Sequence, residues 1–277
     1  MTNQISGASR LFPIIGDPIR YVESPVWLTR TLGERGHNGI CVPMQVPEGA
    51  LEVAMAGLTA IPNVDGILVT MPHKFAAYAY CATSSERASL LGVVSVIRRN
   101  ADGTWHGDML DGIAFVKAQK DHGAQIEGAR ALLVGAGGAG SAIAIALMTS
   151  GVRELVIHDV NELRVNTLVE LLSGIGSGQA LSGPPNPVGC DLVFNATFLG
   201  MEKGDPLPVD TSLFTDSMFV GDVVAGHGDT PLIQAAMAAG CKTATGGHMV
   251  EAVQELMADF MLGDEDGCVE PVSIISS

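Results

Sequence analysis

Short apolar runs alternate with stretches of helical periodicity in the first part of the chain. The apolar runs occupy residues 11–15, 39–46 and 66–70, and each predicts a buried strand. Between the first two runs, Ser24 and Pro25 are typical of an N-cap followed by proline at the first helical position, and a glycine at position 36 ends that helix. Residues 48–58 predict a second helix. This alternation predicts a parallel sheet.

The alternation restarts in the second half of the chain. Two short strands are predicted first, at residues 92–99 and 104–107, and helical spacing returns at residues 111–122. Further strands are predicted at residues 131–134, 154–159, 191–195 and 218–223, and further helices from residue 138 and at residues 162–172. Residues 173–187 are rich in Gly, Ser and Pro and predict a loop. The chain is therefore predicted to be an α/β protein whose second half is doubly wound.

Composition limits the kind of protein and its partners. With 277 residues, 47% of them hydrophobic and 16% charged, the chain is long enough for two domains that each bury a core. The formal net charge of -15 disfavours nucleic acid and anionic membrane as partners, because both require a basic surface. No signal-peptide pattern and no apolar stretch of membrane-spanning length occurs, so we expect a cytoplasmic protein.

The cysteines are scattered and predict neither a disulfide framework nor a metal site. No Cys-x-x-Cys pair occurs, and no histidine stands at ligand spacing from a cysteine. We expect reduced and mostly buried thiols at Cys41, Cys81, Cys190, Cys241 and Cys268.

A glycine-rich segment between a predicted strand and a predicted helix is the first candidate site. Gly135 allows the tight turn at the strand end, Gly137 lets backbone approach a pyrophosphate, and Gly140 lets the helix pack closely on the strand. Gly138 and Ala139 complete the segment, at a helix N-terminus that would face the phosphates. The pattern indicates dinucleotide binding; a glycine-rich turn without a ligand is the alternative.

An aspartate at the end of the next strand bears on which dinucleotide binds. Asp159 follows the glycines at the spacing of an acid that accepts hydrogen bonds from the adenosine ribose hydroxyls. A carboxylate there repels a 2′-phosphate, so NAD is favoured over NADP. Two alternatives stay open: Asp159 is an ordinary strand-end residue, or Arg164 offsets it by binding the phosphate.

Four segments in a specific order resemble the shikimate dehydrogenase family. They are residues 16–25, 69–74, 107–112 and 195–201, and the resemblance covers nearly the whole chain. It implies an N-terminal α/β substrate-binding domain and a C-terminal Rossmann domain, with the last helix returning to the first domain. The expected boundaries are residues 1–109, completed by 248–277, and residues 110–247.

The resemblance also implies an activity and a set of residues. Family members oxidise a ring hydroxyl of shikimate or quinate reversibly with a nicotinamide cofactor, and their catalytic Lys and Asp match Lys74 and Asp111. Removing a hydroxyl proton while hydride leaves requires such a pair. Without the family, Lys74 would be taken as a surface residue and Asp111 as a helix N-cap. On the cofactor side, Asn195 and Thr197 match the loop beneath the nicotinamide ribose, and Val223 lies where backbone meets the nicotinamide amide.

The substrate side departs from the family pattern. Two family serines are matched by Val22 and Ser24, a family tyrosine by Ala225, and two family asparagines by Leu68 and Ser95. The family glutamine falls at Val253, or at Gln254 if the register slips by one. The expected substrate contacts are Ser24, Thr70, Lys74, Ser95, Asp111 and Gln254. Arg20 and Tyr21 could replace the carboxylate contacts, or Arg20 could be a solvated loop residue.

These losses favour a cyclic hydroxy acid that is less hydroxylated than shikimate or differently charged, because a polar site whose partners become apolar loses discrimination. The alternatives are a true shikimate or quinate dehydrogenase with a rebuilt carboxylate site, and a non-catalytic NAD-binding relative. His73 lies in the loop before Lys74, and His248 lies where the last helix is predicted to begin; neither is expected to be catalytic. A monomer and a homodimer both suit a chain of this size.

Overall fold

The structure is a computed structural model that describes residues 5–20, 22–226 and 228–263. These residues divide into two compact units. The N-terminal unit contains residues 5–110 and 254–263, and the second unit contains residues 111–253. Tyr21 and Cys268, which were singled out in the sequence, lie outside the described residues.

The N-terminal unit contains a six-stranded mixed sheet in the order β2-β1-β3-β5-β6-β4. Its strands are β1 Arg10–Gly16, β2 Gly39–Gln45, β3 Gly66–Val69, β4 Thr83–Ser84, β5 Val96–Arg99 and β6 Trp105–Asp108. Its helices are α1 Ser24–Glu34, α2 Leu51–Thr59, α3 Lys74–Tyr78 and α4 Glu86–Leu91. The predicted parallel pairing is confirmed for β2, β1 and β3, whereas β5 runs antiparallel to β3 and β6.

Two local predictions for this unit were wrong, and three short elements were missed. Ser24 is already helical, and Glu23, with αR backbone angles, stands at the N-cap without a side-chain cap bond. The strand predicted from residue 92 begins at Val96, because Gly92 takes the left-handed conformation that ends α4. The short elements α3, β4 and α4 were not predicted, since two to six residues show no readable period.

The second unit contains a six-stranded sheet, parallel throughout, in the order β12-β11-β10-β7-β8-β9. Its strands are β7 Arg130–Val134, β8 Glu154–His158, β9 Gln179–Ser182, β10 Leu192–Asn195, β11 Phe219–Asp222 and β12 Lys242–Ala244. Its helices are α5 Asp111–Asp121, α6 Gly138–Thr149, α7 Glu162–Leu172 and α8 Pro231–Ala238, and it contains the start of α9 Gly246–Leu262. This is the doubly wound order of a Rossmann domain.

One prediction for this unit was wrong as well. Residues 173–187 are not entirely loop, because β9 lies within them and pairs with β8 at the edge of the sheet. None of the four β9 residues is fully buried, so the strand lacks the apolar run that would have revealed it.

The core of the second unit brings helices close to the sheet. Gly112 on α5 lies so near the Ala142 carbonyl of α6 that a Cβ would overlap it. Phe115 of α5 meets Phe194 of β10 edge to face, with ring centroids 5.2 Å apart. Within the described residues of the whole chain, we find no helix with the length and apolarity needed to span a membrane.

Candidate functional site

A crevice is expected where the chain order of the second sheet reverses. Strands β7 and β10 are neighbours there, and the chain continues from β7 to β8 on one side and from β10 to β11 on the other. Ligands of doubly wound sheets bind at the carboxyl ends of the strands flanking such a switch point. The glycine segment follows β7, and the segment 195–199 follows β10.

These two segments meet closely at the switch point. Gly135 has a φ of 109°, and a Cβ there would lie 2.7 Å from the carbonyl oxygen of Ala196. A Cβ on Gly140, in the first turn of α6, would overlap the carbonyl oxygen of Gly135. Both glycines are therefore required by packing. Gly137 differs, because no other atom lies within 4 Å of its Cβ position.

That open space lies at the N-terminus of α6. Gly137 is the N-cap residue with an extended backbone, Gly138 and Ala139 begin the helix, and Gly138 is exposed. The first amide groups of a helix have no partner within it and attract anions. Gly137, Gly138 and Ala139 are thus arranged as a phosphate cradle requires, with space that a side chain would fill.

Asp159 follows β8 and bonds to the glycine segment. One carboxylate oxygen accepts a hydrogen bond from the amide of Ala136 at 2.7 Å, and the other accepts from the amide of Asn161 at 2.8 Å. The side chain of Asn161 caps α7 by accepting from the Arg164 amide at 3.2 Å. Asp159 is partly exposed beside this contact, as a residue that reaches a ligand must be.

A buried polar cluster lies behind the segment 195–199. Asn195 is 0% exposed; its side-chain oxygen accepts from the Thr197 amide at 3.1 Å and from the Thr197 hydroxyl at 2.6 Å. The Asn195 amide nitrogen donates to Asp222 Oδ1 at 2.9 Å. Val223, next in the chain, donates its backbone N–H to the Asn195 carbonyl at 3.1 Å. The three residues predicted to contact the nicotinamide side therefore lie together.

Two further residues of this cluster, Asp222 and Thr230, were not predicted from the sequence. Asp222 is 0% exposed, and burial raises the pKa of its carboxyl group. The Thr230 hydroxyl donates to Asp222 Oδ2 at 2.6 Å. A signal was present, because an acid ending a buried strand is unusual and a Thr-Pro pair marks a helix start.

In the N-terminal unit, backbone hydrogen bonds bring three predicted substrate-side residues together. The Thr70 amide donates to Ile15 at the end of β1, and the Val69 amide donates to the Ser95 carbonyl at 2.8 Å. The Lys74 carbonyl, at the start of α3, accepts from the Val94 amide at 3.0 Å. Thr70, Lys74 and Ser95 therefore occupy one end of this sheet.

Two of the matched positions in this unit are interior. Ser95 is 1% exposed, and its hydroxyl accepts from the Leu110 amide at 2.9 Å. Leu68 is 1% exposed and packs between Ile14 and Val96 of the neighbouring strands. Of the remaining candidates, Ser24 opens α1, Gln254 is half-buried on α9, and Asp111 is the first residue of α5.

A second buried carboxylate fixes the segment before Asp111. Asp108 is 5% exposed and pairs with Arg87 and the Ser85 hydroxyl. Arg87 also donates to the Met109 carbonyl at 3.1 Å. These bonds hold the end of β6 against α4.

The two notable histidines have structural contacts. His73 is 1% exposed, and its Nε2 lies 2.6 Å from the Val46 carbonyl oxygen, which anchors the turn before Lys74. His248 accepts from the Thr245 amide at 3.2 Å and stacks on His122, with ring centroids 3.7 Å apart. Burial, and then the neighbouring His122, lower the pKa of His248.

Curated proteins similar to this chain share one description. A protein from Rubrobacter xylanophilus described as shikimate dehydrogenase (NADP(+)) is 35% identical over 252 residues, covering 89% of this chain and 88% of the relative. The chain belongs to the shikimate dehydrogenase family. A second family member, from Gluconobacter oxydans and also described as shikimate dehydrogenase (NADP(+)), is 34% identical and covers 92% of this chain and 90% of itself.

A domain model and a solved structure agree with this family. The model for the shikimate dehydrogenase substrate binding domain matches residues 14–97. The crystal structure of shikimate 5-dehydrogenase from Listeria monocytogenes, in complex with shikimate and NAD, superposes with a TM-score of 0.87 at 26% identity. It covers 95% of each chain. The family fold predicted from the sequence is confirmed.

Proposed function

We propose that this chain is a nicotinamide-dependent dehydrogenase that transfers hydride between the cofactor and a cyclic hydroxy acid related to shikimate or quinate. The observation that carries the proposal is the 35% identity, over 89% of the chain, to a shikimate dehydrogenase (NADP(+)). The switch point of the second sheet supports it, because the open space beside Gly137 and the exposed start of α6 suit a pyrophosphate.

In this proposal the second unit holds the cofactor and the N-terminal unit supplies substrate contacts. Gly135, Gly137, Gly138, Ala139 and Gly140 form the pyrophosphate loop. Asp159 binds the adenosine ribose, and Asn195, Thr197 and Val223 bind the nicotinamide side. When bound, the nicotinamide supplies the hydride acceptor or donor.

Lys74 and Asp111 are proposed to handle the hydroxyl proton. In the oxidation direction the carbinol carbon gives up hydride to the nicotinamide, and the side chain of Lys74 accepts the hydroxyl proton. Asp111 is proposed as the carboxylate partner in this proton transfer. The hydrogen bonds at Val94 and Val69 support this role, because they fix the backbone of Lys74 relative to Thr70 and Ser95.

We propose a substrate with fewer hydroxyl contacts than shikimate makes in the family. The Leu68 side chain is buried in the sheet and has no polar atom, and Ser95 is only 1% exposed, with its hydroxyl oxygen accepting from the Leu110 amide. Thr70 and Gln254 are the remaining proposed polar contacts for the ring, with Ser24 for the carboxylate. Arg20 is exposed, precedes Ser24 in the same segment of the sequence and is a candidate carboxylate partner.

NAD is the proposed preferred cofactor. The carboxylate of Asp159 is held in place by the Ala136 and Asn161 amides, and a negative charge there repels a 2′-phosphate. The proposed ligands are small molecules, and the proposed location of the protein is the cytoplasm. The net charge of -15 disfavours a polyanionic partner.

A turnover assay tests the proposal. The purified protein is incubated with NAD or NADP and a panel of ring acids that includes shikimate, quinate and analogues lacking single hydroxyls, and formation of reduced cofactor is followed by absorbance. We expect oxidation of at least one ring acid, with an analogue preferred over shikimate. Cofactor binding without turnover of any ring acid would overturn the proposed catalytic role.

A further inference from the structure

We infer that Asp222 is a positioning residue for the nicotinamide end of the cofactor site, because its buried carboxylate holds together the two segments that follow β10 and β11. The inference rests on the proposed function, which assigns Asn195, Thr197 and Val223 to the nicotinamide side. Asp222 itself is 0% exposed and cannot touch a ligand without rearrangement.

Three donors from three different segments converge on this carboxylate. The Asn195 side-chain amide donates to Oδ1 at 2.9 Å, and the Val224 backbone amide donates to the same oxygen at 3.0 Å. The Thr230 hydroxyl donates to Oδ2 at 2.6 Å. An ionised carboxylate is an acceptor only, so it can satisfy all three donors at once.

Asn195 transmits this constraint to the segment beyond β10. Its amide nitrogen also donates to the Leu199 carbonyl at 3.2 Å, while its oxygen accepts from the amide and hydroxyl of Thr197. Thr197 in turn accepts from the Leu199 amide at 3.1 Å. The orientation of the Asn195 side chain, set by Asp222, therefore fixes the backbone from residue 195 to residue 199.

Thr230 extends the constraint to α8. Its hydroxyl donates to Asp222 and also accepts from the Ile233 amide at 3.4 Å, as an N-cap residue does. Thr230 is 3% exposed. The segment 223–226 thus begins directly after Asp222, and Thr230 at the start of α8 bonds to the same carboxylate.

Burying a charged carboxylate between loops has an unfavourable free energy. Burial raises the pKa of the Asp222 carboxyl group. Keeping this carboxylate charged at neutral pH therefore makes the folded state less stable than an uncharged group at the same position would. Asp222 ends β11 beside the switch point, where hydride transfer requires accurate placement of the nicotinamide, and this position supports a role in the site beyond fold stability.

The experiment compares whole and truncated cofactor on Asp222→Asn. Reduced dinucleotide of the preferred kind is titrated by fluorescence, and ADP-ribose, or its 2′-phosphate for an NADP enzyme, is titrated by competition. We expect affinity for the reduced dinucleotide to fall by about tenfold and affinity for the truncated ligand to stay within about twofold. Asp210→Asn is the matched control, because Asp210 also accepts from a nearby amide and hydroxyl but is exposed.

Two substitutions of Thr230, one that keeps its hydroxyl and one that removes it, give a second test if Asp222→Asn does not fold. Thr230→Ser keeps the donor to Asp222 and should bind both ligands as the wild type does, whereas Thr230→Val should weaken only the reduced dinucleotide. Equal weakening of both ligands, or no weakening of either, overturns the inference. A wild-type protein that binds neither ligand overturns the proposed function and the inference with it. Normal turnover in both Asp222→Asn and Thr230→Val overturns the inference alone.

Discussion

Lys74 is the residue on which the proposed chemistry depends most directly. Lys74→Met removes the amine while keeping most of the side-chain volume, so we expect kcat to fall by a factor on the order of 100 or more, because proton transfer loses its acceptor. Affinity for the reduced cofactor should be unchanged, as measured by fluorescence titration. Lys242→Met serves as the control, since Lys242 is an exposed residue of β12. A Lys74→Met protein with near-normal kcat would exclude the assigned role.

We expect Asp159 to determine the preference for NAD over NADP. Asp159→Asn removes the charge but keeps an oxygen for the Ala136 amide, so the loop contact is retained in part. We expect the ratio of kcat/KM for NAD to that for NADP to fall by about tenfold, because the repulsion of the 2′-phosphate is lost. Steady-state kinetics with both cofactors measures the ratio. A clear NADP preference in the wild type would show that the charge argument fails.

At the level of elements, two glycines between β7 and α6 are expected to have different roles, Gly140 in packing and Gly137 in cofactor binding. Gly140→Ala should lower the melting temperature and abolish cofactor binding, because its Cβ would overlap the Gly135 carbonyl. Gly137→Ala should leave the melting temperature nearly unchanged, since its Cβ meets no atom within 4 Å. It should weaken cofactor binding by about tenfold, because the methyl group occupies the space proposed for the pyrophosphate. Thermal unfolding and cofactor titration on both variants check this pair; equal behaviour would argue against it.

The contrast between predictable and unpredictable elements has a physical origin. Strands such as β7 and helices such as α6 are continuous apolar segments bounded by glycine, and that signal is local. The edge strand β9 and the two-residue β4 depend on pairing with distant partners, β8 and β6, so their own residues carry little pattern. Likewise the glycine loop was predictable from one segment. The Asp222 cluster was not, because the two side chains that donate to its carboxylate lie 27 and 8 residues away in sequence.

For the whole molecule, two partly buried histidines make the free energy of unfolding depend on pH. Burial lowers the pKa of His248 and of His106, with His122 adding to the effect on His248 and Arg98 to that on His106. Both are neutral in the folded state, so their contribution is fully present above the ordinary histidine pKa of about 6.5 and is lost as pH falls through the lowered values. Burial raises the pKa of Asp222, so the contribution of Asp222 to the free energy of unfolding falls as pH rises through that pKa.

A variant isolates one part of this dependence. His248→Asn keeps a side-chain acceptor for the Thr245 amide and removes the titrating ring. We expect the loss of melting temperature between about pH 8 and pH 5.5 to be smaller in the variant than in the wild type. The contributions of Asp222 and His106 cancel in this comparison. An identical pH dependence in both proteins would show that His248 does not contribute.

The last helix has a consequence for how the protein is made. The N-terminal unit contains residues 254–262 of α9, where Met261 packs against Gly66, Phe260 stacks on His106 and Asp259 pairs with Arg35. The unit that leaves the ribosome first is thus completed only by residues synthesised after the whole of the other unit. A nascent chain of residues 1–110 lacks part of its own core, and the second unit is the first one whose core can close during synthesis.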